Sequence, residues 1–272
     1  MAKITAAEVN KLRKQTGAGM MDCKKALVEA EGDFEAAVDI LRKKGQKVAA
    51  KRADRDATEG AVIAKTNGAD KGAVIKLSCE TDFVAKNENF VALANKIADI
   101  ALASGVSTAA ELGAVEFEGG LTVAAKLQEQ TGVIGEKIEV AEMATVSAPY
   151  VASYIHMGNK IGTLVGLTAE AAEAGRDVAM QAAAMNPVAL NRDAVPQDVI
   201  DRELEVGKDL ARQEGKPEEM LEKIATGRLN KFFKENTLVD QDFIKDSKLS
   251  VSKYLTSVEA GLAVVDFKRV SL

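Results

Sequence analysis

Apolar residues recur every three to four positions over roughly the first fifty residues, a spacing typical of amphipathic helices. The segment TAAE at residues 5–8 is a capping box, in which the Thr5 hydroxyl accepts from the Glu8 N–H and the Glu8 carboxylate reaches back. Gly17 and Gly32 then end two of three predicted helices. The apolar positions expected on one side of the second and third helices are Met20, Cys23, Leu27 and Ala30, then Phe34, Ala37, Val38 and Leu41. The pattern predicts three short helices in a compact unit.

The hydrophobic period changes to two after this helical region. Residues 61–66 and 73–79 flank the segment NGADKG, which predicts a β-hairpin with its turn at Asn67-Gly68. In the second strand Ile75, Leu77 and Cys79 alternate with Lys76, Ser78 and Glu80. This alternation predicts a sheet with one buried face and one solvated face. A helix follows, with its apolar stripe at Phe90, Leu93, Ala94, Ile97 and Ala101.

The same order of elements occurs a second time. Strands are predicted at residues 150–157 and 161–168, with a helix at 178–185, which suggests two related α+β halves. Residues 196–236 are strongly helical and are interrupted by Gly215-Lys216-Pro217, which predicts an antiparallel helical hairpin. We therefore predict an α+β fold with a three-helix domain and linker at residues 1–54, a first core subdomain at 55–146 and a second at 147–272. Within the second, the hairpin spans 196–236 and a C-terminal module spans 237–272.

Composition excludes several classes of partner. The chain has 272 residues, 47% hydrophobic and 28% charged, with a formal net charge of −5. An acidic chain with no Trp and 4% aromatic residues is unsuited to binding nucleic acid, which requires a basic surface and stacking rings. No apolar run approaches the ~18 residues of a membrane span, and no targeting signal is recognisable. We expect a cytoplasmic protein with reduced thiols, no membrane contact and no direct contact with nucleic acid.

The residues needed for catalysis are scarce. His156 is the only histidine, so no two-histidine metal site can form, and the sequence has no phosphate-binding glycine loop or nucleophile motif. We expect a protein that is not an enzyme and that has no catalytic residues, bound metal or cofactor.

The segment SCETDFVAKN at residues 78–87 raises a question about Phe83, because an aromatic ring in a predicted connecting loop is costly to leave in water. The matching loop of the second half, AEAAEAGRD, has no aromatic residue, so the fold can close without one. One interpretation tucks Phe83 under the next helix, with Asp82 capping that helix or starting the turn. Structural roles also stay open for His156 at its strand end and for Met20 and Met21 in the helical core.

Four motifs resemble the signatures of the translation elongation factor Ts family. They are RKQTGAGMMDCKKAL at residues 13–27, CETDFVAKN at 79–87, YIHMGNKIG at 154–162 and GKPEEMLEKIATGRLNKFF at 215–233. They come in the family's order and extend over most of the chain. One departure is Gln241-Asp242-Phe243, where the family commonly has Gln-Pro-Phe.

The resemblance implies a guanine-nucleotide exchange factor that releases GDP from elongation factor Tu and allows GTP to rebind during translation elongation. It implies an N-terminal ubiquitin-associated-like three-helix domain, and a loop of Thr81, Asp82, Phe83 and Val84 that enters the partner's G domain near its Mg²⁺. Further residues that it assigns to partner contact are Met20, Met21, Lys24, Ile134, Gly135 and His156. Elongation factor Tu is expected to bind in its GDP-bound and nucleotide-free states, and a homodimer through the hairpin is possible. The alternative is a ubiquitin-associated-like adaptor without exchange activity.

Overall fold

Helices and antiparallel strands alternate along residues 4–272, which are the residues that the computed structural model describes. The first six helices are α1 (Ala6–Thr16), α2 (Met20–Glu29), α3 (Phe34–Arg52), α4 (Asp82–Ala85), α5 (Glu88–Ser104) and α6 (Ala109–Ala114). The next five are α7 (Val123–Ile134), α8 (Ala172–Met185), α9 (Gln197–Gln213), α10 (Glu218–Asn236) and α11 (Val251–Val258). The strands are β1 (Glu59–Thr66), β2 (Lys71–Cys79), β3 (Glu116–Glu118), β4 (Leu121–Thr122), β5 (Glu139–Ser147), β6 (Tyr150–Ile155), β7 (Ile161–Leu167), β8 (Asp242–Phe243), β9 (Asp246–Ser250) and β10 (Val264–Ser271). The predicted α+β class is confirmed.

Two three-stranded antiparallel sheets form the centre of the molecule, with strand orders β1-β2-β5 and β10-β7-β6. They pack face to face through one shared apolar layer, listed here by sheet: Val62, Ala64, Val74 and Val146, then Val151, Leu164 and Val270. The predicted single buried face of the first sheet is therefore wrong. Ser78, expected to face solvent, is 1% exposed, and Val74 on the same face packs against the second sheet.

Glycine allows the two sheets to approach closely. A Cβ at Gly162 would lie 2.8 Å from a methyl carbon of Val62, and one at Gly72 would lie 2.9 Å from Leu164. Real Cβ atoms do not come this close, so a side chain at either position would force the neighbouring side chain of the other sheet to shift. The glycines thus set the spacing between the two halves.

Helices cover the outer face of each sheet. On the first sheet, Phe90, Ala94, Ile97 and Ala101 of α5 are all buried, as their spacing predicts, together with residues of α6 and α7. On the second sheet, α8 and α11 pack around Leu167 and Val264. The molecule is therefore layered as helix, sheet, sheet, helix. No helix in residues 4–272 has the length and apolar character needed to cross a membrane.

The N-terminal helices pack around their own apolar cluster and also against α7. The capping box at Thr5 and Glu8 is confirmed, with both reciprocal hydrogen bonds present. Helix α3 has 19 residues and is longer than the predicted short helix. Its second half contacts α7, where Gly45 and Gly132 bring the two backbones together. Val133 of α7 also packs into the N-terminal cluster.

Helices α9 and α10 form the predicted antiparallel hairpin, but through smaller residues than expected. Leu210 and Met220, predicted to face the opposite arm, are 41% and 45% exposed. The buried residues of the two arms are Gly207 and Ala211 on α9, and Leu221, Ala225 and Phe233 on α10. Gly207 lies close to Ala225, where an added Cβ would be 3.1 Å from the Ala225 Cα. Small residues therefore allow a close helix contact and leave larger apolar side chains outside it.

The segment that departs from the family pattern is held by hydrogen bonds. The Gln181 side chain donates to the Gln241 side chain at 3.1 Å and accepts from the Ile244 N–H at 2.8 Å. The Phe243 ring stacks on Tyr254 with a centroid distance of 4.0 Å. A buried glutamine pair and a ring stack thus fix the chain direction without proline. The predicted domain boundaries stay predictions, and the first three residues of the first domain lie outside the described range.

Candidate functional site

The predicted loop around Phe83 is a single helical turn, α4. The Thr81 side chain caps its N-terminus by accepting from the Val84 N–H. Val84 packs against the core of the first sheet, whereas Phe83 is 85% exposed. The interpretation that placed Phe83 under the next helix is therefore wrong. A large apolar ring projects into solvent from a turn whose neighbouring residue is fixed in the core.

Asp82 lies on the exposed side of α4 and is paired within the chain. Its Oδ2 accepts from the Lys86 Nζ at 2.6 Å, and this hydrogen bond is the main reason why the pKa of the Asp82 carboxyl is lowered. Of the two structural roles considered for Asp82, capping the following helix is wrong, because Asn87 caps α5. Starting the turn is confirmed, because α4 begins at Asp82. The turn thus presents an apolar ring beside an ionised carboxylate with one exposed lysine partner.

The start of α4 is tied to the turn that follows α7. Helix α7 is capped at its C-terminus by Gly135, whose φ of 84° is a left-handed conformation that favours glycine. The next residue, Glu136, accepts from the Thr81 hydroxyl at 2.7 Å and from the Thr81 N–H at 3.0 Å. Ile134, just before the glycine, packs against the first core cluster. The structure therefore brings the predicted Ile134-Gly135 pair next to Thr81.

Glu80 supplies a second set of contacts at the same place. Its carboxylate accepts from the Lys137 N–H at 2.6 Å and from the Arg52 Nη1 at 2.7 and 2.8 Å. The backbone bond from Lys137 is the larger of these two causes that lower the pKa of Glu80. Cys79 donates from its thiol to the Thr81 carbonyl at 3.2 Å, and burial raises its pKa to about 12. The thiol is therefore a protonated structural group.

His156 lies in the exposed turn between β6 and β7. Its Nδ1 is 3.2 Å from the Tyr154 hydroxyl, and the next residue, Met157, is 87% exposed. In the same turn the Asn159 carbonyl accepts from the Val62 N–H at 2.7 Å, which holds the turn against β1. Helix α4 also contacts β1. Two exposed segments, one with Phe83 and one with His156, therefore lie against the same strand.

The three candidate residues of α2 form a separate exposed surface. Met20 and Met21 are 53% and 63% exposed, and Lys24 is exposed as well. The predicted core position of Met20 is wrong, because the core side of α2 consists of Cys23, Ala26 and Leu27. This surface connects to α4 through α3, which contacts α7 and whose Arg52 binds Glu80. The site residues thus form two groups on one scaffold.

Comparisons with known proteins agree with the motifs. The family model described as Elongation factor TS matches residues 80–272. The chain is 61% identical to "Elongation factor Ts" of Christiangramia forsetii and 57% identical to that of Flavobacterium psychrophilum, each over 100% of both chains. It is 54% identical to the Amoebophilus asiaticus protein of the same name over 98% of each chain. The chain belongs to the elongation factor Ts family.

In this member of the elongation factor Ts family, three structural partners of the exposed turn were not identified from the sequence. They are Lys86 for Asp82, Glu136 for Thr81 and Arg52 for Glu80. Only Lys86 carried a local signal, since it lies four residues after Asp82, the spacing of a helical ion pair. Within residues 4–272 no group of three or more His, Cys, Asp or Glu side chains is arranged to hold a metal ion.

Proposed function

We propose that this chain is the guanine-nucleotide exchange factor of elongation factor Tu. It binds the GDP-bound partner, promotes GDP release and leaves the nucleotide-free partner to bind GTP during translation elongation, in the cytoplasm. The chemistry belongs to binding and not to catalysis of a covalent step. Family membership supports the partner, and the 85% exposed Phe83 ring on α4 is the single structural observation that supports the mechanism.

The mechanism follows from differential affinity. A ligand shifts an equilibrium only if it binds one state better than the other, so this chain must prefer the nucleotide-free partner to the GDP-bound partner. Each tenfold gain in release requires about 1.4 kcal/mol of that preference. Burying one aromatic side chain contributes about 1.5–3 kcal/mol. Insertion of Phe83 into a pocket of the G domain therefore accounts for roughly one to two powers of ten, and the rest requires other contacts.

Asp82 acts beside the ring, close to the partner's Mg²⁺. Mg²⁺ demands a near-ideal octahedral arrangement of ligands. A negative charge that repels or pairs with the groups holding the ion disturbs this arrangement and so weakens nucleotide binding, without itself ligating the ion. The Asp82–Lys86 pair is exposed on both sides, and exposed ion pairs contribute little to stability. Asp82 can therefore leave Lys86 for a partner group at little cost.

The remaining contacts hold the partner while the turn acts. We assign docking to Met20, Met21 and Lys24 on α2, where two long apolar side chains and a cation are exposed together. Ile134 and Gly135 lie beside Thr81, and His156 lies on a turn that contacts the same strand as α4, so we assign these residues to the same docking surface. A homodimer through the helical hairpin also stays a prediction, to be checked by sedimentation of the purified chain.

The central experiment measures release of fluorescent GDP from purified elongation factor Tu with and without this chain. The double variant Asp82→Ala, Phe83→Ala should lower the rate of stimulated GDP release at least tenfold. It lacks both the ring that is buried in the partner and the negative charge beside it. A matched control is Val258→Ala, which shortens an exposed apolar side chain at the end of α11. This variant should stimulate GDP release from elongation factor Tu as well as the unsubstituted chain does. Normal exchange by the double variant would refute the mechanism.

Docking is tested separately by the triple variant Met20→Ala, Met21→Ala, Lys24→Ala. All three side chains are exposed, so the fold should be unaffected. The variant should need a higher concentration for half-maximal stimulation and keep the maximal rate. Unchanged affinity would contradict the docking role. Binding of elongation factor Tu with no stimulated release by the unsubstituted chain would instead favour the adaptor alternative.

A further inference from the structure

Two short segments hold each other through their own glutamates. The Glu136 carboxylate accepts from the backbone N–H groups of Glu80 at 3.1 Å and Thr81 at 3.0 Å. In return, the Glu80 carboxylate accepts from the backbone N–H of Lys137 at 2.6 Å. We call these reciprocal bonds between residues 80–81 and 136–137 the glutamate clamp. It joins the end of β2 and the start of α4 to the turn after α7.

The clamp is stronger than an ordinary loop contact. Hydrogen bonds with an ionised acceptor contribute about twice as much as neutral ones. Glu136 also accepts from the Thr81 hydroxyl at 2.7 Å, and Arg52 donates to both oxygens of Glu80. Arg52 is the last residue of α3, so the N-terminal helices are joined to the same point. Three separate segments meet at two partly buried carboxylates.

The exposed turn depends on contacts outside itself to keep its orientation. Helix α4 has only four residues, and a helix this short is not stable by itself. Its own backbone bonds are few, such as Ala85 N–H to the Thr81 carbonyl at 3.2 Å and Lys86 N–H to Asp82 at 3.1 Å. Val84 anchors one side in the core. Ala85 packs there as well, and the clamp fixes the capped end of the turn, next to Phe83.

We propose that Glu136 is a positioning residue for nucleotide exchange, which holds α4 through Thr81 in the orientation that presents Phe83, and that Glu80 and Arg52 join this support to α3. This inference rests on the exchange function proposed above. A turn that is already ordered loses less conformational freedom when it binds, so more of its contact energy is available to displace the nucleotide.

The proposal predicts a specific kinetic pattern for Glu136→Ala. Loss of three hydrogen bonds should lower the maximal rate of stimulated GDP release about tenfold or more. The concentration for half-maximal stimulation should change less than about twofold, because docking through α2 is unaffected. Glu136→Gln is the matched control, since its carbonyl oxygen can accept the two backbone N–H bonds while its NH₂ donates to the Thr81 hydroxyl. It should restore most of the rate.

A double-mutant cycle separates positioning from general destabilisation. If Glu136 acts through Phe83, adding Glu136→Ala to Phe83→Ala should cause little further loss of rate. Amide hydrogen exchange should accelerate at residues 82–86 of Glu136→Ala, while the amides of β2 keep their protection. If Glu136→Ala does not fold, Glu136→Asp tests the positioning role instead, because the aspartate carboxylate is one methylene too short to reach all three donors. Glu136→Asp should also lower the maximal rate of stimulated GDP release.

The outcomes distinguish the two proposals. If the unsubstituted chain does not stimulate GDP release, the proposed exchange function fails. If Phe83→Ala stimulates release normally, the exchange function stands but the role proposed for the ring fails. If Phe83→Ala is defective but Glu136→Ala has a normal maximal rate, the exchange function stands and the clamp proposal is overturned. The clamp proposal is also overturned if Glu136→Ala lowers the maximal rate by the same factor in the unsubstituted chain and in the Phe83→Ala variant. Failure of Glu136→Gln to restore the maximal rate would overturn it as well.

Discussion

The contact between α3 and α7 predicts opposite effects for the same substitution at two helical glycines. Replacing Gly by Ala inside a helix normally stabilises it by up to about 1 kcal/mol. At Gly227 of α10 an added Cβ meets no atom within 4 Å, so Gly227→Ala should give this gain. At Gly132 of α7 the added Cβ would lie 2.5 Å from the Gly45 Cα on α3. The same methyl group therefore meets open solvent in one helix and backbone in the other.

The magnitude follows from that distance. Non-bonded carbons are comfortable at about 3.5–4.0 Å, so the two helices must separate by about 1 Å to accept the methyl group. Overpacking of this kind costs about 1–3 kcal/mol. Because the obstacle is backbone and cannot rotate away, we take the upper part of that range. After the helix-propensity gain, Gly132→Ala should destabilise the chain by about 1–2 kcal/mol. The two variants should then differ by about 2–3 kcal/mol.

The assay is urea denaturation of both variants and the unsubstituted chain, followed by circular dichroism. The midpoint should rise for Gly227→Ala and fall for Gly132→Ala. In the second variant, amide exchange at residues 45–52 should also accelerate, since the second half of α3 loses its support. If Gly132→Ala were as stable as Gly227→Ala, the close approach of α3 and α7 would be wrong.

Three further predictions concern the exposed turn and its support. Phe83→Ala should change the free energy of unfolding by less than about 0.5 kcal/mol, as measured by denaturation, because the ring is 85% exposed. Glu80→Gln should lower the midpoint of thermal unfolding at pH 7. The difference in midpoint between the variant and the unsubstituted chain should narrow below pH ~4.3, because a carboxyl whose pKa is lowered by folding stabilises the fold only while it is ionised. An equal difference in midpoint at pH 3 and pH 7 would contradict this. Cys79, with its pKa near 12, and buried Cys23 should both resist alkylation at pH 8 until the chain is unfolded, as thiol titration would measure.

Local patterns predicted the elements that depend on neighbours in sequence. The stripe on α5 was identified because helix period and burial coincide over four turns. The hairpin of β1 and β2 was identified from its turn residues, and Gly68 at that turn has a φ of 78°. The capping box at Thr5 needed only four residues. In each case the deciding interactions lie within one element or one turn.

The errors arose where distant segments meet. Polar residues at 76 and 78 indicated a solvated face, yet Val74 on the same face is covered by the second sheet, and the Lys76 amine reaches Glu142 at 3.1 Å and the Ser271 carbonyl at 3.2 Å. Helix α4 is too short for any periodicity. Its capping residue is held by Glu136, 55 positions away. No window of sequence contains both partners.

The strand order of the second sheet has a consequence for synthesis on the ribosome. β7 lies between β6 and β10, and its second neighbour begins only at Val264. The 96 residues between Leu167 and Val264 must therefore be made while one edge of β7 has no strand beside it. At about 5–20 residues per second this interval lasts roughly 5–20 s. An open strand edge can pair with other chains, so nascent copies are most prone to aggregate in this window.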